Sequence, residues 1–418
     1  MSNETKQQEF LLEPRSPLIF RSGLPFGSLD DGGGANGYTF PIPATVAGAI
    51  RSAYVDQTNW QFNNQNTPER LRNKVQIEGA LLSSWQVGKY DQLRLYFQKP
   101  ADAIYHAEKR EPDKEPKILI NKLSPSEIDD NNEGIDGGEN INFSKFLPAL
   151  SKNNVKPAEG PIFWEKEKMN NWLMGSELYS AEGLGIKKLK YEIKTHVGIN
   201  PKTLSAEEGK LFQSLNIDFS PNIKKTYTNK YQFGLLVRVK ENQQDNSEYL
   251  SNLNNCNVRL GADGRTVKII NSQANQFSIA KNLKEKLDEC QENDIIRLIL
   301  ATPAFFKNGF LPDNLDPETL KGSIIGDNNW EFEIISAVID RWIGYSGYSI
   351  RKENRNKYQE KSALRLVPAG SVYWLKILKK DKNQNGKKIS KISDYWLKSI
   401  CSETYSRDGF GLALWGVK

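Results

Sequence analysis

One order of elements, strand-helix-strand-strand-helix-strand, can be read twice along this chain, and that repetition limits the available folds more than any other feature. In the second half it is compact. Ile295 to Ala301 is a nearly continuous apolar strand, Asn308-Gly309 and Pro312 mark a turn, and a helix is expected from Asp316. Phe332 to Ile343 and Ser371 to Leu378 read as strands, Asp394 to Ser402 as a helix, and Leu412 to Gly416 as a terminal strand.

In the first half the same order is stretched by polar insertions. Leu18 to Arg21 is a brief strand, followed by a turn-rich run from Asp30 to Gly37 whose two acids beside three glycines read as a turn and not as metal ligands. In Phe40-Pro41-Ile42-Pro43-Ala44-Thr45 the prolines forbid helix, so Thr45 is expected to cap a helix running through Arg51 to about Asp56. Gly48 inside that helix costs about 1 kcal/mol against alanine, and close approach of another backbone or a ligand would compensate. Gln92 to Gln98, Ala103 to Ala107, Tyr191 to Ile199 and Gln232 to Lys240 read as strands, and Pro112 to Asn142 as a partly disordered insertion. Asn257 to Leu260 and Thr266 to Ile269 are expected to pair across Asp263-Gly264, and Leu283, Leu287 and Cys290 have helical spacing within Lys281 to Asn293. An antiparallel sheet with helices on one face is the ferredoxin-like solution to this order. The expected fold is therefore α+β, with tandem ferredoxin-like domains at 10–293, carrying insertions at about 100–190, and 294–418.

At 418 residues and 38% hydrophobic content the chain can fill such cores, while 57 Lys+Arg against 51 Asp+Glu leave only +6. An anionic partner must meet a local basic face. No stretch approaches the length of a membrane span and Met1 to Gln8 is polar, so a cytoplasmic protein is expected. Cys256, Cys290 and Cys401 are too scattered for a disulfide framework or a CxxC zinc site and are expected to be reduced and mostly buried; no metal and no cofactor is expected. The two histidines, His106 and His196, leave little material for histidine-based catalysis.

Small and basic residues supply the candidate chemistry. Gly409-Phe410-Gly411 is either a tight packed turn or a loop whose backbone N–H groups approach a phosphate. Phe20-Arg21, Arg51 with Tyr54, Gly264-Arg265 and Tyr348-Ser349-Ile350-Arg351-Lys352 place cations beside aromatic or glycine residues, an interleaving that suits single-stranded RNA, although any one of them could be a surface salt bridge. The lysines from Lys376 to Lys391 around Asn385-Gly386 form a solvated hairpin tip or a phosphate-facing arm. His196 could act on an RNA 2′-hydroxyl, but it lacks an obvious acid partner and reads better as a hydrogen-bonding or packing residue.

In order, these pieces resemble the Cas5-like subunit of the RAMP superfamily from the type III-B CRISPR (Cmr) complex, its third subunit. The matching stretches are Pro17-Leu18-Ile19-Phe20-Arg21 with Pro25-Phe26, Phe40 to Arg51, His196-Val197-Gly198-Ile199 with Thr203 and Gly209-Lys210-Leu211-Phe212, Leu260 to Arg265, Leu300 to Phe306 with Gly309 to Pro312, Gly344 to Tyr348, Val367 to Tyr373, and the C-terminal glycines. The sequence departs from the family pattern at Gly261-Ala262-Asp263-Gly264-Arg265, which lacks a second glycine and a glutamate, and in the insertion from Pro112 to Asn142. The resemblance implies a non-catalytic subunit that holds the 5′ tag of the guide RNA. It implies two protein partners, the large polymerase-like subunit and the first backbone-forming RAMP subunit. The expected RNA-binding residues are Arg21, Thr45, Gly48, Arg51, His196, Gly264, Arg265, Lys352, Gly409 and Gly411. The competing expectations are a guide-processing endoribonuclease using a histidine and a scaffold that touches only protein.

Overall fold

The computed structural model describes residues 5–22, 37–58, 60–63, 67–108, 116–127, 146–151, 155–220, 231–242, 249–324, 329–350, 358–380 and 390–418. In chain order the elements are β1 (Thr5–Pro14), β2 (Leu18–Ile19), α1 (Pro43–Thr58), α2 (Pro68–Lys74), β3 (Val75–Gln86), β4 (Lys89–Gln98), β5 (Ala103–Ala107), β6 (Ile118–Pro125), β7 (Ala149–Ser151), β8 (Phe163–Glu165), α3 (Lys166–Leu173) and β9 (Gly185–Ile186). There follow β10 (Lys190–Ile199), β11 (Ala206–Asp218), β12 (Tyr231–Asn242), β13 (Asn257–Arg259), β14 (Thr266–Ser272) and α4 (Lys281–Glu289). The last part holds β15 (Ile295–Leu300), β16 (Lys321–Gly322), β17 (Trp330–Val338), β18 (Ile343–Tyr345), β19 (Tyr348–Ile350), β20 (Tyr358–Glu360), β21 (Leu364–Leu366), β22 (Val372–Lys380), α5 (Glu403–Ser406) and β23 (Ala413–Val417). The chain is α+β and rich in sheet.

The first sheet runs β13-β14-β1-β12-β3-β4-β8-β9 and the second β16-β17-β22-β15-β23. In each, four strands taken in chain order stand fourth, first, third, second: β14-β1-β12-β3 and β23-β15-β22-β17, all antiparallel. Everything from β4 to β11 is inserted between the second and third strands of the first set. Helix α1 covers one face of the first sheet through Val46, Ala47, Ile50 and Tyr54, and Leu12, Ile77, Leu82 and Val237 belong to the same core. The opposite face joins the second sheet in a larger core containing Leu81, Trp85, Trp172, Leu298 and Leu414. Leu283 and Leu287 of α4 lie in that core, where α4 crosses β23.

One charge pair ties the layers together. Arg297, in the middle of the apolar strand β15, is 0% exposed and bonds Asp102 Oδ2 at 2.9 Å, while Trp172 Nε1 donates to Asp102 Oδ1 at 2.9 Å. Arg297 also donates to the carbonyls of Trp172 and Val417. Burial is tolerable because the charge is paired and its donors are used.

Several expectations need correction. Helix α1 starts at Pro43 and not after Thr45, whose N–H donates to Ile42 O at 3.0 Å inside the first turn. Proline suits that first position because its ring presets φ and it brings no N–H to satisfy. No helix follows Asp316: its carboxylate accepts from the N–H groups of Glu318 and Thr319 and closes a turn leading to β16. The helix expected at Asp394 to Ser402 is replaced by a 3₁₀ turn, Ile392–Tyr395, and the short α5. Within Pro112 to Asn142, Ile118–Pro125 is the ordered β6, paired with β5. The cysteines are free, with Cys290 buried and Cys256 and Cys401 half-buried. No helix among the described residues is long and apolar enough to cross a membrane.

Candidate nucleic-acid interface

The two sheets meet at a cleft of about 340 Å³. One wall is the extended run Gly37 to Pro43 that opens α1, with Ala80 to Leu82 of β3, Tyr96 and Gln98 of β4, and Phe163 of β8. The other is Ala301-Thr302-Pro303 after β15, with Asp340, Ile343, Pro368 and Ala369. Pro41 and Pro43 hold the first wall extended up to the helix. Its position is fixed by Tyr38 N–H donating to Phe20 O at 2.8 Å and by Tyr38 Oη donating across the cleft to Gly344 O at 2.7 Å. On the far side Ala304 and Val367 exchange backbone hydrogen bonds, and Gly370 N–H donates to Leu300 O. Among the described residues the lining contains no lysine or arginine and one carboxylate, Asp340. Tyrosine and phenylalanine rings with proline edges suit a flat, weakly polar group better than a phosphate.

Beside the cleft, cations gather around one buried acid. Asp408, 6% exposed, accepts from Arg51 Nη1 at 2.5 Å and Arg72 Nη2 at 2.7 Å. Arg51 is itself 8% exposed and also donates through Nε to Val75 O at 3.0 Å and through Nη2 to Arg407 O at 2.7 Å. Burial lowers the Arg51 pKa and the Asp408 charge opposes that shift. Lys361 is lowered by burial and then by Arg72. Tyr345 is pushed up to about 12 by burial, reinforced by Asp408.

The expected site residues fall into separate places. Thr45 and Gly48 are exposed on α1, and a Cβ at Gly48 would meet nothing within 4 Å, so no backbone of this chain makes the close approach expected there. Arg51 points inward as a structural tie. Gly409 and Gly411 are buried: Gly409 has φ +88° and a Cβ there would stand 2.3 Å from Gly79 O, so this loop is a turn packed against β3. The structure thus brings the C-terminal loop to the first helix through Arg51 and Asp408, as an internal junction. Gly264 and Arg265 lie on the β13–β14 turn, which docks on β2 through Ala262 N–H to Ile19 O at 2.9 Å. A Cβ at Gly261, φ +84°, would stand 2.3 Å from the same oxygen. Arg21, exposed just after β2, is on that side of the molecule, and Arg265 is half-buried. His196 is on the separate β10–β11 hairpin, stacked on Phe212 at 5.1 Å with Nε2 2.8 Å from Ser214 Oγ. Lys352, the Asp30 to Gly34 run and the Asn385-Gly386 turn lie outside the described residues.

Sequence reasoning missed Tyr96 and Phe163, which reach the cleft only through the β3-β4-β8 pairing, and Trp342 and Arg365 at its rim. The convergence of Phe40 to Pro43, Ala301 to Pro303 and Pro368-Ala369 on one cleft is the signal that could have found it.

The fold and this cleft define a sheet-rich α+β protein with an apolar, aromatic groove between two sheets. A family model described as "CRISPR-associated protein (Cas_Cmr3)" matches residues 10–418, and the chain belongs to that CRISPR-associated family. Among solved structures it is similar to a chain of the type III-B Cmr-beta complex bound to cognate target RNA and AMPPnP, with 13% identity, 88% of this chain and 86% of that chain covered, and a TM-score of 0.41. It is also similar to a chain of the Csm3-Csm4 subcomplex of the type III-A interference complex, with 11% identity, coverage of 90% and 95%, and a TM-score of 0.35. No curated protein matches it.

Proposed function

We propose that this chain is the third, Cas5-like subunit of a cytoplasmic type III-B effector complex and that it is a non-catalytic holder of the guide RNA 5′ tag. In this reading its two halves are ferredoxin-like units at 10–293 and 294–418, with α4 reaching across to the second. It docks the large polymerase-like subunit on one side and the first backbone-forming RAMP subunit on the other. The observation that carries the reading is the aromatic and proline cleft, about 340 Å³ in volume and with Asp340 as the one charged group among its described lining residues, at which three of the family-like stretches meet. Unpaired bases splayed into such a groove supply recognition, while phosphates outside it set register. A binding role also accounts for His196, which is held by Ser214 and Phe212 with no carboxylate among its contacts in the described residues.

Photocrosslinking tests this. In an assembled complex carrying 4-thiouridine in the guide tag, crosslinks are expected to peptides containing Tyr38, Tyr96 or Phe163. Crosslinks confined to other subunits refute the cleft as the tag site and favour the protein-only scaffold. Incubation with guide precursor tests the catalytic alternative: specific cleavage abolished by His196→Ala refutes the non-catalytic reading.

A further inference from the structure

Of the nine tryptophans, Trp342 is the exposed one, at 51%; the other eight are buried or half-buried. A half-exposed indole forgoes much of the burial that makes tryptophan valuable in a core. It does not sit on a loose loop. Trp342 immediately precedes β18, whose Gly344 pairs with Arg365 of β21, so Trp342 and Arg365 lie diagonally on one face of a two-stranded ladder. The ring lies over Gly344: a Cβ there would stand 3.4 Å from Trp342 Cζ3, an ordinary contact distance. Arg365 Cζ stands 5.0 Å from the indole centroid, and its guanidinium makes no hydrogen bond or ion pair among the described residues. The bond from Tyr38 Oη to Gly344 O ties this ladder to the opposite wall, and Asp340 and Ile343, on either side of Arg341-Trp342, line the cleft.

We infer that Trp342 is a stacking platform for one unpaired RNA base at the cleft mouth, with Arg365 holding the adjoining phosphate. This rests on the RNA-binding reading above and adds a position to it. A guanidinium lying over an indole keeps its in-plane N–H groups directed outward, where a phosphate can accept them while the ring meets a base. Charge placement favours nucleic acid over a protein partner. Among the described lining residues of the cleft there is no cation, whereas Arg341 and Arg365 are both exposed at this rim, so bases are accommodated within and the backbone is met here.

The test uses the full chain and a fluorescein-labelled short single-stranded RNA, read by anisotropy. Trp342→Ala is expected to weaken binding by about 5-fold or more, and Trp342→Phe, which keeps a ring, by no more than about 3-fold. The urea midpoint of Trp342→Ala should match wild type, because the side chain is exposed. Walking one abasic nucleotide along the RNA should reveal one position at which Trp342→Ala causes no further loss, a readout that a merely structural role does not move. The inference is overturned if Trp342→Ala binds like wild type or if its loss is the same at every abasic position. Were Trp342→Ala to keep its RNA but lose co-purifying subunits, the ring would be a protein contact and the RNA reading would survive. A wild-type chain that binds no single-stranded RNA refutes both.

Discussion

Replacing Arg51 separates a structural residue from an RNA ligand. In sequence Arg51 follows a small-residue helix face and looks like a phosphate clamp; in the structure its guanidinium is 8% exposed and bonds Asp408, Val75 O and Arg407 O. Arg51→Ala leaves a nearly buried carboxylate with Arg72 as its remaining cation, and that partner's side chain is 27% exposed. Breaking a buried pair by removing one member costs about 3–5 kcal/mol, a large share of the roughly 5–15 kcal/mol by which domains are stable. Arg51→Glu should cost more, because it sets a second carboxylate against the first. Urea unfolding followed by tryptophan fluorescence measures this, and Arg51→Ala/Asp408→Ala should be clearly less destabilised than the sum of the single changes. If Arg51→Ala unfolds within about 1 kcal/mol of wild type while guide RNA retention collapses, the tie is secondary and Arg51 is an RNA ligand.

Three further outcomes are expected. Asp102→Ala strips Arg297 of its counter-charge and Trp172 Nε1 of its acceptor at 0% exposure, and should cost about 3–5 kcal/mol by the same urea assay; a loss under about 1 kcal/mol refutes the buried tie. Gly48→Ala should stabilise the isolated chain by up to about 1 kcal/mol, since the position is exposed, helical and open; a destabilised chain contradicts that geometry, and unchanged stability with lost guide retention places RNA against α1. At Asp288 burial pushes the carboxyl up, but hydrogen bonds from Ser393, Lys284 and Lys391 outweigh it and hold the pKa below the usual value. Its contribution is therefore complete above the unfolded carboxylate value, near about pH 4, and is lost as pH falls through the lowered folded value. The stability gap between wild type and Asp288→Asn, measured by urea unfolding across this range, should close on acidification; a gap independent of pH refutes the assignment.

What could be read from sequence and what could not divide along one physical line. Strands with a strong local signature were legible: Ala103–Ala107 and Ile295–Leu300 match their expectations almost residue for residue, and Asn257–Arg259 pairs with β14 across Asp263-Gly264 as its turn chemistry requires. Elements whose identity depends on distant partners were not. β3, Val75–Gln86, begins with polar Gln76 and Glu78, and these side chains are acceptable there because Glu78 meets Arg238 and Lys240 of β12. Asp316 and Asp394 carry the same cap-like chemistry that begins a helix, yet each carboxylate closes a turn, Asp316 by accepting from Thr319 N–H and Asp394 from Lys391 N–H.

The site shows the same division more sharply. Glycine-rich and basic motifs stand out in the sequence, but a backbone that needs close approach does not say what approaches it. For Gly409 the neighbour is β3, for Gly261 it is β2, and for Arg51 it is Asp408, each drawn from the same chain. A phosphate and a folded partner make the same demand on a glycine or a guanidinium. What distinguishes them is whether the group is already satisfied. By that criterion the surface left to bind RNA is the outer side of α1 at Thr45 and Gly48 and the rim at Trp342 and Arg365, beside a cleft whose walls include the half-buried rings of Tyr38 and Phe40.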